Sequence, residues 1–231
     1  MKLSIVIPTL NEEKNIIKIY QLFYDFLKDK QLDWNVIFID DNSKDNTISE
    51  IKNLNSKYVS YLVRKNEKGL SSAIFKGIEI SSSDYVLIID ADLQYRIFDF
   101  NMFLLALNDD YDLILGSRTL NHDNTNRIID LKFIMSRVAW HLSKFMIGKQ
   151  IPDDLMTGFF IIKKSFYKKI CHRLRPIGFK ALLEIFLNSD NVKYKEIKVG
   201  FVDRELGKSK LNLKIIIQFF YQLLTRNRFI N

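Results

Sequence analysis

Five continuously apolar runs, separated by segments of helical period, constrain this chain more than any other feature. They are LSIVIP (3–8), WNVIFID (34–40), VSYLVR (59–64), DYVLIID (84–90) and YDLILG (111–116). Between the first two, Ile16, Ile17, Tyr20, Tyr24 and Leu27 recur at helical spacing. Asp45 or Asn46 offers a cap for a helix running to about Tyr58, and further helices are expected at 70–80 and around 98–108. A strand that is apolar throughout must be covered on both faces. The pattern therefore predicts an α/β protein built on a mostly parallel sheet flanked by helices.

The second half is less regular. Residues 127–147 read as one long helix, with Ile128, Leu131, Met135, Val138, Leu142 and Phe145 on one side. Lys132 and Ser136 lie four apart on another face. FFII (159–162) and KYKEIKVGFV (193–202) read as strands, and 211–224 as an amphipathic helix. The expected organisation is one domain over 1–210 and a basic amphipathic segment over 211–231. No internal repeat or low-complexity linker interrupts it.

Charge and cysteine content narrow the function. Lys and Arg number 35 against 27 Asp and Glu, a net charge of +8. Five of the cations fall in the last 26 residues, after the final acid at Glu205. A polyanionic partner follows: lipid headgroup, phosphorylated substrate or nucleic acid. Aromatic residues sit at core spacing and do not interleave with the cations, which argues against nucleic acid. The single Cys171 excludes a disulfide scaffold, and three scattered His residues argue against a His-rich metal centre. No GxGxxG follows a strand, and no P-loop or GxSxG elbow is present. The opening LSIVIP is too short for a leader and no run reaches membrane-span length, so a cytosolic chain resting on a membrane face is expected.

In a parallel sheet, ligands bind beyond the carboxyl ends of the strands. The residues there are Asn11-Glu12, Asp40-Asp41, Asp90-Ala91-Asp92 and Gly116-Ser117-Arg118. Two carboxylates at i and i+2 after an apolar strand suit a hard divalent cation that shares its coordination with substrate phosphates, and Gln94 offers a further carbonyl. The competing reading is a turn-capping pair. One of Asp40 and Asp41 is a candidate acceptor for a base or ribose hydroxyl; an Asx-turn is the alternative. Arg118, Arg204 and Lys210 are candidates for gripping a diphosphate, or else are solvated surface charges. Glu184 in ALLEI is either a general base or a packing residue.

With these residues in view, the chain resembles the family 2 glycosyltransferases of the GT-A (Rossmann-like) fold, and within them the dolichol- or polyprenol-phosphate mannosyltransferases. SIVIPTLNEEKNI (4–16), VIFIDDNSKDNT (36–47), YVLIIDADLQ (85–94), LILGSR (113–118), IGFKALLEI (177–185) and FVDRELGKSKL (201–211) carry the resemblance. It implies that Pro8, Leu10, Glu12, Ile39 and Asp41 surround the donor nucleoside, with Ala91 beside it. It implies that Asp90, Asp92 and Gln94 hold Mg²⁺ or Mn²⁺, that Arg118, Arg204 and Lys210 grip phosphate, and that Lys132 and Ser136 meet an acceptor phosphate. The implied activity is inverting transfer of a sugar, mannose from GDP-mannose, from a nucleotide-sugar donor to polyprenyl or dolichyl phosphate, beside a membrane surface or a small membrane subunit. Departures from the family pattern are Leu10 for Tyr, Tyr95-Arg96-Ile97 for His-Pro-Pro, Lys132 for Arg and Phe160 for Arg. Two alternatives stay open: a same-fold transferase using a UDP-sugar or a hydroxyl acceptor, and a degenerate binding module.

Overall fold

The computed structural model describes residues 1–95, 97–118, 141, 143–145, 151–176 and 180–200. The helices expected at 127–147 and 211–224 lie outside these residues, apart from a few positions of the first. So do Arg96, Lys132, Ser136, Arg204, Lys210 and the boundary at 210.

Among the described residues, seven strands form one sheet: β1 (Lys2–Thr9), β2 (Asp33–Asp40), β3 (Val59–Val63), β4 (Tyr85–Ile88), β5 (Leu113–Ser117), β6 (Phe160–Lys163) and β7 (Tyr194–Lys198). Their spatial order is β3-β2-β1-β4-β6-β5-β7. β1 pairs in parallel with β2 and β4, β2 with β3, and β5 with β7. Among these described strands only β6 runs antiparallel, between β4 and β5. The chain leaves β1 in one direction and returns at β4 on its other side. That change of direction between neighbouring strands opens a crevice at their carboxyl ends.

Period-two alternation sorts the strand residues onto two cores. Leu3, Ile5, Ile7, Val36, Phe38 and Leu87 face α1 (Glu13–Leu27) and α4 (Phe100–Ala106). Val6, Ile37, Ile39, Val86 and Ile88 face α3 (Leu70–Ile80), α5 (Lys164–Ile170) and α6 (Ala181–Leu187). Each fully buried Phe or Ile contributes roughly 1.5–3 kcal/mol of burial free energy. The buried stripe of α1 is Ile16, Ile19, Tyr20, Phe23 and Leu27. Against the expected stripe, Ile17 is exposed and Tyr24 only partly buried, while Ile19 and Phe23 face the core. The helix α2 (Thr47–Asn53) stops short of the expected Tyr58. Two residues on, Asn55 takes a left-handed conformation that ends the helical path, and Tyr58 then stacks on Trp34.

The direction of β6 matters most for function. An antiparallel strand begins where its parallel neighbours end. Phe160 pairs with Ile88 of β4 and Leu115 of β5. The segment 153–159 that leads into β6 is therefore delivered to the carboxyl edge of the sheet.

Candidate active site

β4 ends at Ile88, and Asp90, Ala91, Asp92, Leu93 and Gln94 follow at the crevice. Ala91 is buried, while Asp90 and Asp92 are partly exposed. Leu93 takes a positive φ of 58°, a conformation that costs a non-glycine residue about 1 kcal/mol or more. It tightens the turn so that the Gln94 N–H reaches the Asp92 carboxylate at 3.4 Å. Strain of this kind collects where a loop must present side chains in a set direction. Among the described residues, no cluster of three or more His, Cys, Asp or Glu is arranged as a metal cage. Two carboxylates and an amide carbonyl are an oxygen-only donor set. They fit a Mg²⁺- or Mn²⁺-like ion that completes its shell with phosphate and water.

The segment before β6 supplies the residues that sequence reading missed. Gly158 lies directly against Asp90: a Cβ there would meet the carboxylate carbon at 2.9 Å. Arg118, just past β5, directs its guanidinium edge onto Asp154, with Nε donating at 2.6 Å and Nη2 at 2.9 Å. The Arg118 backbone N–H reaches the same carboxylate at 3.2 Å. Asp154 is held in turn. Its own N–H and that of Asp153 donate to Glu196 Oε1 on β7 at 3.3 and 2.9 Å. The Asp154 side chain is 4% exposed and that of Arg118 32%, so the acid stands behind the base. Burial works against the Arg118 cation, and the hydrogen bonds and charge of Asp154 outweigh it, raising its pKa. Burial likewise raises the Glu196 carboxyl.

Tyr95 closes the gap between these groups. Its ring packs on Phe159 and its hydroxyl lies 3.4 Å from Thr157 Oγ1. Burial pushes the phenol up to about 12, against the pull of Arg118, so it is a neutral hydroxyl at ordinary pH.

The loops after β1 and β2 are laced together. The backbone N–H groups of Asn11, Glu12 and Glu13 donate to Ser43 Oγ (2.9 Å), Thr47 Oγ1 (2.8 Å) and Asp45 Oδ2 (3.2 Å). Those of Lys44 and Asn46 donate back to Asn11 Oδ1 (2.8 Å) and Glu13 Oε2 (3.0 Å). Asp45 also accepts from the N–H and hydroxyl of Thr47, the first residue of α2. Leu10 is exposed at the rim, and Glu12 Oε2 accepts from Asn15. Pro8 is buried. Ile39 is a core residue with no exposed surface.

The two acids after β2 differ. Asp40 is fully buried and accepts from Thr9 Oγ1, Ser43 N–H and Ser43 Oγ, the Asx-turn arrangement. Asp41 is ion-paired with the buried Arg64, whose Nε donates at 2.7 Å, and accepts the Gly69 N–H at 2.8 Å. Gly69 holds a φ of 137°, which a side chain would resist. Arg64 follows β3 as Arg118 follows β5, and that position was the signal for it. Glu184 is fully buried, paired with Arg175 and bonded to Asn188; it is a packing residue, not a base facing the crevice. Lys180 Nζ caps the Met156 carbonyl at 2.8 Å, bracing the same 153–159 segment.

Comparison with known proteins gives a consistent picture. The family model described as Glycosyl transferase family 2 matches residues 4–170. A dolichol-phosphate mannosyltransferase of Pyrococcus furiosus is 32% identical over 222 residues, covering 95% of this chain and 62% of the relative. The chain thus spans under two thirds of that relative. Enzymes of the same name from Saccharomyces cerevisiae and Mycosarcoma maydis are 31% and 27% identical, covering 95% and 98% of this chain and 85% and 79% of theirs. Among solved structures, a glucosyl-3-phosphoglycerate synthase from Mycobacterium tuberculosis with Mg²⁺ and uridine diphosphate superposes with a TM-score of 0.70 at 15% identity, over 97% of this chain and 79% of that one. The same synthase with Mn²⁺ and UDP-glucose gives 0.66 at 16%, with the same coverages. At that identity the likeness concerns the fold.

Proposed function

The chain belongs to the family 2 glycosyltransferases, and from that premise we propose that it moves mannose from GDP-mannose onto a polyprenyl or dolichyl phosphate, with inversion. The observation that supports the site assignment is that one stretch of backbone, 153–159, contacts both Asp90 and Arg118 just beyond the ends of β4 and β5. The names of the relatives support the acceptor and the sugar.

In this reading Asp90, Asp92 and Gln94 hold Mg²⁺ or Mn²⁺. When bound, the cation supplies Lewis-acid neutralisation of the donor diphosphate. Arg118, with Arg204 and Lys210, takes up the charge that develops on the departing nucleoside diphosphate. Lys132 and Ser136 receive the acceptor phosphate. A phosphate oxygen forms the new bond to the anomeric carbon. The old bond to the diphosphate breaks, and its electron pair leaves with the nucleoside diphosphate. A phosphate monoester has a second pKa of about 6, so it arrives as an anion and needs no general base. Pro8, Leu10, Glu12 and Asp41, with Ala91, frame the nucleoside on the laced loops. We place the basic 211–231 segment against an anionic membrane face or a membrane subunit. Among the described residues, no helix is long and apolar enough to cross a membrane.

A panel of GDP- and UDP-sugars with Mg²⁺ or Mn²⁺, offered with short polyprenyl phosphate or with polyprenol, tests this. The expected result is a lipid-linked hexose from the phosphate only. Equal transfer to polyprenol overturns the acceptor assignment, and transfer from UDP-sugars alone overturns the donor.

A further inference from the structure

We infer that Asp154 is a positioning residue for the transfer reaction: it sets the direction in which Arg118 presents its charge to the donor diphosphate. The inference rests on the glycosyl-transfer reading above. Three observations carry it. The two-point contact on Nε and Nη2 fixes the plane of the guanidinium, where a single contact would leave it free to turn. The third contact, from the Arg118 backbone N–H, ties the end of β5 to the same carboxylate. Asp154 is itself anchored to a different strand, because Glu196 on β7 takes the N–H groups of both Asp153 and Asp154. The brace therefore runs from β7 through the 153–154 turn to Arg118. Four residues further on, the same segment lies against Asp90. One stretch of backbone thus fixes the spacing between the candidate cation ligand and the candidate diphosphate grip.

The charge argument and the positioning argument predict opposite signs. Asp154 offsets part of the Arg118 charge, so removing it makes the site more cationic and favours diphosphate binding. An Asn at 154 offers one acceptor oxygen where the fork needs two, and its amide N–H groups face the donors of Arg118. The guanidinium must turn. A shift of about 1 Å at a reacting charge costs on the order of 100-fold in rate.

The test uses the full chain with Asp154→Asn, Arg118→Ala and the double variant, with melting curves to establish folding and Asp154→Glu as a second folded variant should Asn unfold it. Asp154→Asn is expected to lower kcat by about 10- to 100-fold while nucleoside diphosphate binding with Mg²⁺ is kept or strengthened. In the Arg118→Ala background the same substitution is expected to cost nothing further, because the two act as one unit. An equal loss of kcat in both backgrounds overturns the inference, as does unchanged kcat in the single variant. The Arg118 Nε–H resonance gives a readout independent of turnover. It should be protected from exchange in the wild type, shift on addition of GDP with Mg²⁺, and lose protection in Asp154→Asn. A wild type that transfers no sugar yet shows this shift refutes the transfer reading alone; a resonance that ignores the nucleotide refutes Arg118 as the diphosphate grip, and one that keeps its protection in Asp154→Asn refutes the brace.

Discussion

Gly158 and Asp90 are in such close contact that the first cannot carry a side chain without displacing the second. A Cβ built on Gly158 would lie 2.9 Å from the Asp90 carboxylate carbon and nearer still to its oxygen. The two residues come together because β6 runs against its neighbours and so starts where β4 stops.

Gly158→Ala is therefore expected to swing the Asp90 carboxylate out of place. Overpacking of this sort costs about 1–3 kcal/mol in stability, which a domain of this size should survive. The functional cost should be larger. Mn²⁺ binding in the presence of nucleoside diphosphate, followed by calorimetry, is expected to weaken at least roughly tenfold, which corresponds to about 1.4 kcal/mol. Unchanged metal affinity in a folded variant removes Asp90 from the cation site.

Asp92 is partly exposed and accepts the Gln94 N–H at 3.4 Å, in the loop beyond β4 and outside the two buried cores. Asp92→Ala should abolish transfer from nucleotide sugar while leaving the far-ultraviolet circular dichroism and the melting temperature near wild type. Normal turnover by this variant with metal present is the result that contradicts the assignment.

Four of the strands were legible because a strand covered on both faces must be apolar throughout, as the runs at 3–8, 34–40, 84–90 and 111–116 are; the run at 59–64 also became a strand, β3, but at the edge of the sheet and partly exposed. FFII was legible as a strand, but nothing in four apolar residues states their direction. That direction is what brings Asp154, Thr157 and Gly158 to the crevice. Asp154 meets Arg118 across 36 residues and Arg64 meets Asp41 across 23, and side-chain pairing at such separations leaves no periodic trace. Arg64 had a positional signal, as a cation just past a strand. Glu184 sat in an apolar helix, where burial was its bland reading, and burial is what the fold gives it.

The Arg64–Asp41 pair supports a stability prediction. Both side chains are almost entirely removed from solvent. Removing one partner leaves the other charge buried, at a cost of about 3–5 kcal/mol. Arg64→Met should lower stability by that amount in urea titrations, a fall of roughly 10 °C in melting temperature for a domain of this size. Adding Asp41→Asn should recover part of it by removing the stranded charge. A double variant less stable than Arg64→Met alone shows that the loss came from packing.

Asp45 carries the last prediction, which concerns acid. Burial raises its carboxyl pKa, but the Thr47 hydroxyl and the backbone N–H groups of Thr47 and Glu13 more than offset this, so the folded pKa lies below the ordinary 3.8. A carboxylate depressed on folding stabilises the native state at every pH above its unfolded value, and that contribution is lost as pH falls through the folded pKa. Asp45→Asn keeps one acceptor but not the charge, and should cost about 1 kcal/mol at pH 6, the usual difference between hydrogen bonds to a charged and to a neutral acceptor. Melting curves taken from pH 6 down to pH 3 should show the gap between wild type and variant constant at first and then narrowing below about pH 4. A gap that stays constant to pH 3 would mean that the contacts of Asp45 act through shape rather than charge. The lacing of the loops after β1 and β2 would then be independent of acid.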